Sequence, residues 1–113
     1  MFESITSLGL HSALDGLALR QKAIASNIAN VNTPGYTARR VKFEEALTAS
    51  VRAGSGAAQS EMQRSLEPTK LNGNNVNLDT ETLSNIDTVL RYQFAARAVE
   101  GTFNNVRTAM RTH

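Results

Sequence analysis

The chain has 113 residues, 41% of them hydrophobic but only 5% aromatic and none tryptophan, which suits one small domain and excludes a large self-sufficient core. Twelve Lys and Arg against ten Asp and Glu leave a formal charge of +2, an excess too small to support nucleic-acid binding. With no cysteine there is neither a disulfide framework nor a thiolate metal site.

The start, Met1 to Ser7, lacks the basic-then-apolar order of a signal peptide, and no apolar run reaches the length of a membrane span. The expectation is export, if any, without a cleaved signal, and no direct membrane insertion. From about Ile5 the apolar residues recur in alternating steps of four and three: Leu10, Leu14, Leu17, then polar Gln21, then Ile24, Ile28 and Val31. This heptad spacing predicts a helix that buries a narrow seam against another. Gly16 lies within it at a cost of about 1 kcal/mol relative to Ala.

The helix is expected to stop in Ala25 to Tyr36. Thr33 precedes Pro34, which disfavours helical backbone, and Gly35 can take the positive φ of a tight turn. Asn27, Asn30 and Asn32 suit a helix end whose last carbonyls need partners. Physics alone reads a helix C-terminus here and no more.

Beyond the turn, Thr37 to Val51 is mixed in charge and weakly periodic, which predicts an extended stretch and a short helix. Ala53 to Gln59 is Ala, Gly and Ser, the composition of a flexible linker. Asn72-Gly73 favours a tight turn that could close a short hairpin. Asp79 then offers an N-cap, with Glu81 adding negative charge to the first turn. The second helix carries a stripe of Val89, Tyr92, Ala96, Val99, Phe103, Val106 and Met110, with Leu83, Ile86, Leu90 and Phe94 to one side of it, expected to widen the apolar face toward the helix start. Arg91, Arg97, Arg107 and Arg111, with Asp87 and Glu100, read as a solvated helix face.

The fold expected is all-α: two long terminal helices packed as an antiparallel coiled-coil hairpin, joined by an extended loop region with little regular structure. The segments are 1–33 for the N-terminal helix, 34–78 for the turn and loop, and 79–113 for the C-terminal helix. About 2 kcal/mol for each large apolar residue does not clearly exceed the entropy of ordering the two helices, so neighbouring subunits are the natural supplement.

No catalytic, cofactor-binding or metal-binding site is expected. His11 and Asp15 lie near Ser12, but Ser12 points elsewhere on the helix and no oxyanion donor accompanies them. Gly54, Gly56 and Gly73 lack the Lys-Ser/Thr of a phosphate loop.

Ala25 to Tyr36, with Arg40 just beyond, resembles the N-terminal signature of bacterial flagellar rod and hook subunits. Gly73 to Asp79 and Leu90-Arg91-Tyr92-Gln93 resemble the C-terminal half of short members from the proximal rod. The resemblance implies a structural subunit of the flagellar basal-body proximal rod, which polymerises helically, transmits torque and forms the wall of the export channel. The subunit interface would be Leu10, Leu14, Leu17, Ile24, Ile28, Val31, Val89, Tyr92, Val99, Phe103, Val106 and Met110. The signature turn would be Asn27, Asn30, Thr33, Pro34, Gly35 and Tyr36.

Implied partners are copies of itself and other rod subunits, a membrane-embedded basal ring protein with its adaptor, and the flagellar type III export gate. The implied location is the basal body, within the periplasm. Phe43 and Leu47 match the family's Phe-x-x-x-hydrophobic export element, although the same residues could simply make a small apolar contact on a short helix. The alternative function is a soluble helical-hairpin dimer acting as an adaptor or export chaperone.

Overall fold

Helix α1 spans Ile5–Ala29. Ser4 starts it, its hydroxyl accepting from the Ser7 amide at 3.1 Å, which satisfies one donor of the first turn. At the other end of the chain, α3 spans Leu78–Arg111. Its first turn is capped by Asn77, whose Oδ1 accepts from the Thr80 amide at 3.2 Å. Asp79 lies inside the helix and is not the cap. The computed structural model describes residues 4–111, the side chains at 102, 103 and 106 excepted.

The two helices run antiparallel. Asn27 meets Glu81, Gln21 donates to Asn85 at 2.6 Å, and Leu17 shares a core with Ala95. With 34 residues in α3 against 25 in α1, α3 runs on past the start of its partner. The molecule measures 67 × 26 × 15 Å with a radius of gyration of 17.6 Å, where a compact domain of this length would have about 13 Å.

The fold is mostly helical but not all-α, and its middle is more regular than expected. Strand β1 (Arg39–Lys42) and strand β2 (Glu61–Arg64) form a two-stranded antiparallel sheet, Arg39 opposite Arg64 and Lys42 opposite Glu61. Helix α2 (Glu44–Arg52) lies between them. The Ala53 to Gln59 stretch is not a free linker either. Gly56, at φ +73, lies where a Cβ would come within 2.6 Å of the Ile5 carbonyl, and Ser12 Oγ donates to its carbonyl at 3.0 Å while accepting from Ala58 at 3.2 Å. Asn72-Gly73 makes a tight turn, Gly73 donating to the Lys70 carbonyl at 2.9 Å, but no strands flank it.

Helix α1 is buried on two adjacent sides. One faces α3 through Leu17 and Ile24; the other faces β1 and α2 through Gly16, Arg20 and Ala23. A Cβ on Gly16 would lie 2.5 Å from the Phe43 ring, so the glycine that weakens the helix is what admits its main aromatic contact. The core is Leu17, Ala23, Val41, Phe43 and Ala95, bordered by Ala13, Leu14, Leu19 and Leu47.

Candidate functional site

The signature turn is built around Asn27, which is fully buried. Its Nδ2 donates to the Arg39 carbonyl at 2.9 Å and to Glu81 Oε2 at 3.1 Å. Its Oδ1 accepts from the Arg39 amide at 2.8 Å and the Tyr36 hydroxyl at 3.1 Å. Both donors and both acceptor positions of the amide are thus used. One side chain ties α1 to β1, to the turn and to α3.

Glu81, also fully buried, is the counterpart on α3. Arg40 Nη1 contacts its Oε1 at 2.5 Å, and the same guanidinium pairs with Glu67 at 3.0 Å. A carboxylate without water is costly unless it is paired and hydrogen-bonded, and here it is both. Burial acts to lower the Arg40 pKa, but the hydrogen bonds to Glu81 and Glu67 outweigh it and hold the group above its ordinary value.

Asn74 and Asn75 close the knot from the loop before α3. Asn74 Nδ2 donates to the carbonyls of Asn30 and Thr33, both at 2.8 Å, satisfying acceptors that the helix end leaves free. Its Oδ1 accepts from Val76 at 2.7 Å. Asn75 Oδ1 accepts from Ala38 at 2.6 Å, while Nδ2 donates to the Glu67 carbonyl at 3.1 Å. Within the turn, Asn30 donates to the Ser26 carbonyl at 2.8 Å and accepts from Thr33 at 3.0 Å. Gly35, at φ +75, donates to Asn72 at 2.8 Å. Pro34 lies exposed on the outside of the turn.

The structure therefore brings together Asn27, Asn30, Thr33, Gly35 and Tyr36, and joins to them four residues that the sequence reading did not place at the turn's contacts: Arg40, Asn74, Asn75 and Glu81. The signal for Asn27 was available, since it lies on one helical stripe with Arg20 and Ile24. Glu81 gave none, because an acid in the first turn of a helix already has an explanation in the helix dipole.

The seam residues divide. Leu17 and Ile24 are buried, and Leu10, Leu14, Val31 and Val99 are half-buried. Ile28, Val89, Tyr92 and Met110 are exposed, and the side chains of Phe103 and Val106 lie outside the described residues. The side of α3 against α1 is lined instead by small or polar residues, Glu81, Thr88 and Ala95. Leu83, Ile86, Leu90 and Phe94 do not widen that side. They fall on the opposite face of the helix, where they are 69%, 52%, 61% and 77% exposed.

Phe43 is buried under Arg20, whose guanidinium lies 4.9 Å from the ring centroid, and Leu47 borders the same core. Arg20 also pairs with Glu44 at 2.7 Å. Among the described residues, no group of three or more His, Cys, Asp and Glu could hold a metal ion, and no helix is long and apolar enough to cross a membrane.

Two long helices tied at one end by a buried polar knot, with a stripe of large apolar side chains left outside, define an elongated helical hairpin with an exposed apolar face. A family model described as Flagella basal body rod protein matches residues 10–37, which contain α1 from Leu10 onward and the signature turn. The chain is 29% identical over 119 residues to the flagellar basal body rod protein FlgB of Bacillus subtilis (strain 168), covering 93% of this chain and 92% of the relative. It is 29% identical to the FlgB of Escherichia coli (strain K12), covering 88% of each. A 47-residue stretch, 42% of this chain and 34% of the relative, is 49% identical to the FlgB of Borrelia hermsii. Over most of its length the chain is thus similar to flagellar basal body rod proteins.

Proposed function

We propose that this chain is a structural subunit of the proximal rod of the flagellar basal body, which joins copies of itself and other rod subunits through its terminal helices. The observation that carries this reading is the exposed stripe Leu83, Ile86, Leu90 and Phe94. Four large apolar side chains on one helix face gain little from water, and burying each would contribute about 1.5–3 kcal/mol. A neighbouring subunit supplies that burial. Contacts of this kind that do not close into a ring generate a helical tube, which would transmit torque and line the export channel.

In this reading the knot sets the angle at which the sheet and α2 leave the helix pair, and the seam at Ile28 and Val99 is shared with neighbours in the assembled rod. The membrane-embedded ring with its adaptor would lie at the base, and the rod would cross the periplasm. If Phe43 and Leu47 are recognised at the type III export gate, they are recognised before folding, because Phe43 is 4% exposed in the folded chain. The test is to express Ile28→Asp and Val99→Asp variants in cells lacking the wild-type chain and to isolate basal bodies. Export continues and rod incorporation is lost if the reading holds; normal rods from both variants overturn it.

A further inference from the structure

Of the asparagines in the chain, Asn72 alone is followed by glycine. Such a pair can modify itself: the backbone nitrogen after an asparagine lies near the side-chain amide, and glycine has no Cβ to obstruct its approach. The fold requires both residues here. Gly73 stands at φ +83, where a Cβ would lie 3.3 Å from Gly35 Cα, so the loop before α3 meets the signature turn glycine against glycine. Asn72 Oδ1 accepts from the Asn74 amide at 3.1 Å, the local bond that asparagine makes in turns. Asn72 is exposed, so water and base reach it.

The same bonds that fix the loop oppose the reaction. Ring closure needs the Gly73 nitrogen deprotonated and turned onto Asn72 Cγ. In the fold its N–H donates to the Lys70 carbonyl at 2.9 Å, and the Asn72 carbonyl accepts from Gly35 at 2.8 Å. Rotating the peptide breaks both bonds, and moving the side chain breaks the one from Asn74. We propose that Asn72-Gly73 is a self-modification site that the folded knot keeps silent and that reacts when the loop opens.

The chemistry needs only base and water. The Gly73 nitrogen gives its proton to base and attacks Asn72 Cγ. The new N–Cγ bond closes a cyclic imide, and the Cγ–Nδ2 bond breaks, Nδ2 leaving as ammonia with a proton from solvent. Water then opens the ring. Attack at Cγ leaves aspartate at 72, and attack at the main-chain carbonyl leaves isoaspartate, with the side-chain carbon now in the backbone. Isoaspartate lengthens the chain by one atom between residues 72 and 73. The carbonyl that Gly35 grips and the glycine that packs on it then no longer fall in register, so a chain modified while open cannot remake this part of the knot.

The test follows the full chain by intact mass and peptide mapping at mildly alkaline pH, in buffer where circular dichroism shows the helices formed and, in parallel, in concentrated urea. The mass gain of an amide turned into an acid should map to Asn72, vanish in Asn72→Gln, and accrue about tenfold or more slowly in buffer than in urea. Asn74→Ala, which removes the loop's bonds to the Asn30 and Thr33 carbonyls, should raise the rate in buffer and leave the rate in urea unchanged. After transfer from urea to buffer, the isoaspartate form should unfold at lower urea than the wild type, whereas Asn72→Asp, which keeps the backbone length, should stay close to it. Equal wild-type rates in buffer and urea overturn the proposal, as does a gain that maps elsewhere or a rate in buffer that Asn74→Ala leaves unchanged.

Discussion

The knot and the outer face of α3 handle burial in opposite ways. At the knot, polar groups lie inside: Asn27, Asn74 and Glu81 are each 0% exposed and hydrogen-bonded. On the outer face, apolar groups lie outside, Phe94 at 77%. A chain governed only by apolar burial would do neither. The difference separates two kinds of interaction: directional hydrogen bonds fix one geometry within the subunit, while the outer face leaves non-directional apolar surface open to solvent.

The largest break in this comparison is Arg40→Ala. It leaves Glu81 buried with only the Asn27 amide, and uncompensated buried charge costs about 3–5 kcal/mol. That is a large share of the stability of a small domain. Urea unfolding followed by circular dichroism should show the midpoint fall steeply, and adding Glu81→Gln should recover part of the loss by removing the charge. A midpoint close to wild type for Arg40→Ala would mean that the knot does not hold the fold.

Gly16→Ala has an intermediate effect and tests the apolar interior between the two regions. Helix propensity improves by about 1 kcal/mol, but the new methyl meets the Phe43 ring, and overpacking costs about 1–3 kcal/mol. The expected net loss is roughly 1 kcal/mol, seen as a lower urea midpoint. Phe43→Leu in the same chain should make Gly16→Ala neutral or favourable, a change of sign that marks a steric cause.

These regions differ in how far the sequence reveals them. The helices are legible because apolar residues recur along them, and the turn is legible because Pro34 and Gly35 mark it. The knot was legible only on one side. Asn27 and Asn30 stand out at a helix end, but their partners Glu81 and Asn74 are 54 and 44 residues away, and nothing local pairs them. The sheet was hidden because its four-residue strands hold mostly charged and polar residues, with Val41 opposite Met62 as the one apolar pair. It is held by neighbours as much as by its ladder, through Asn27 on Arg39 and Asn75 on Ala38. In α3, two apolar stripes on different faces read as one broad face, since one-dimensional spacing does not say where the partner helix ends its contact.

The smallest effect concerns an ion pair between the two extremes. Arg20 and Glu44 meet at 2.7 Å with the Glu44 side chain 47% exposed. Burial acts to raise the Glu44 pKa, but the hydrogen bond from Arg20 and those from the backbone outweigh it and hold the carboxylate below its ordinary 4.5. A carboxylate with a depressed folded pKa contributes stability above its unfolded value and loses it as pH falls through the folded one. Stability of the wild type relative to Glu44→Gln should therefore be steady near neutral pH and decline below 4.5. The measurement is the difference in urea midpoint between the two chains from about pH 6 to about pH 3. Solvent screens so exposed a pair, so the decline should be shallow beside the loss from Arg40→Ala. A decline as steep as that loss would show that exposure does not weaken the pair, and would remove the distinction between the sealed knot and its open surroundings.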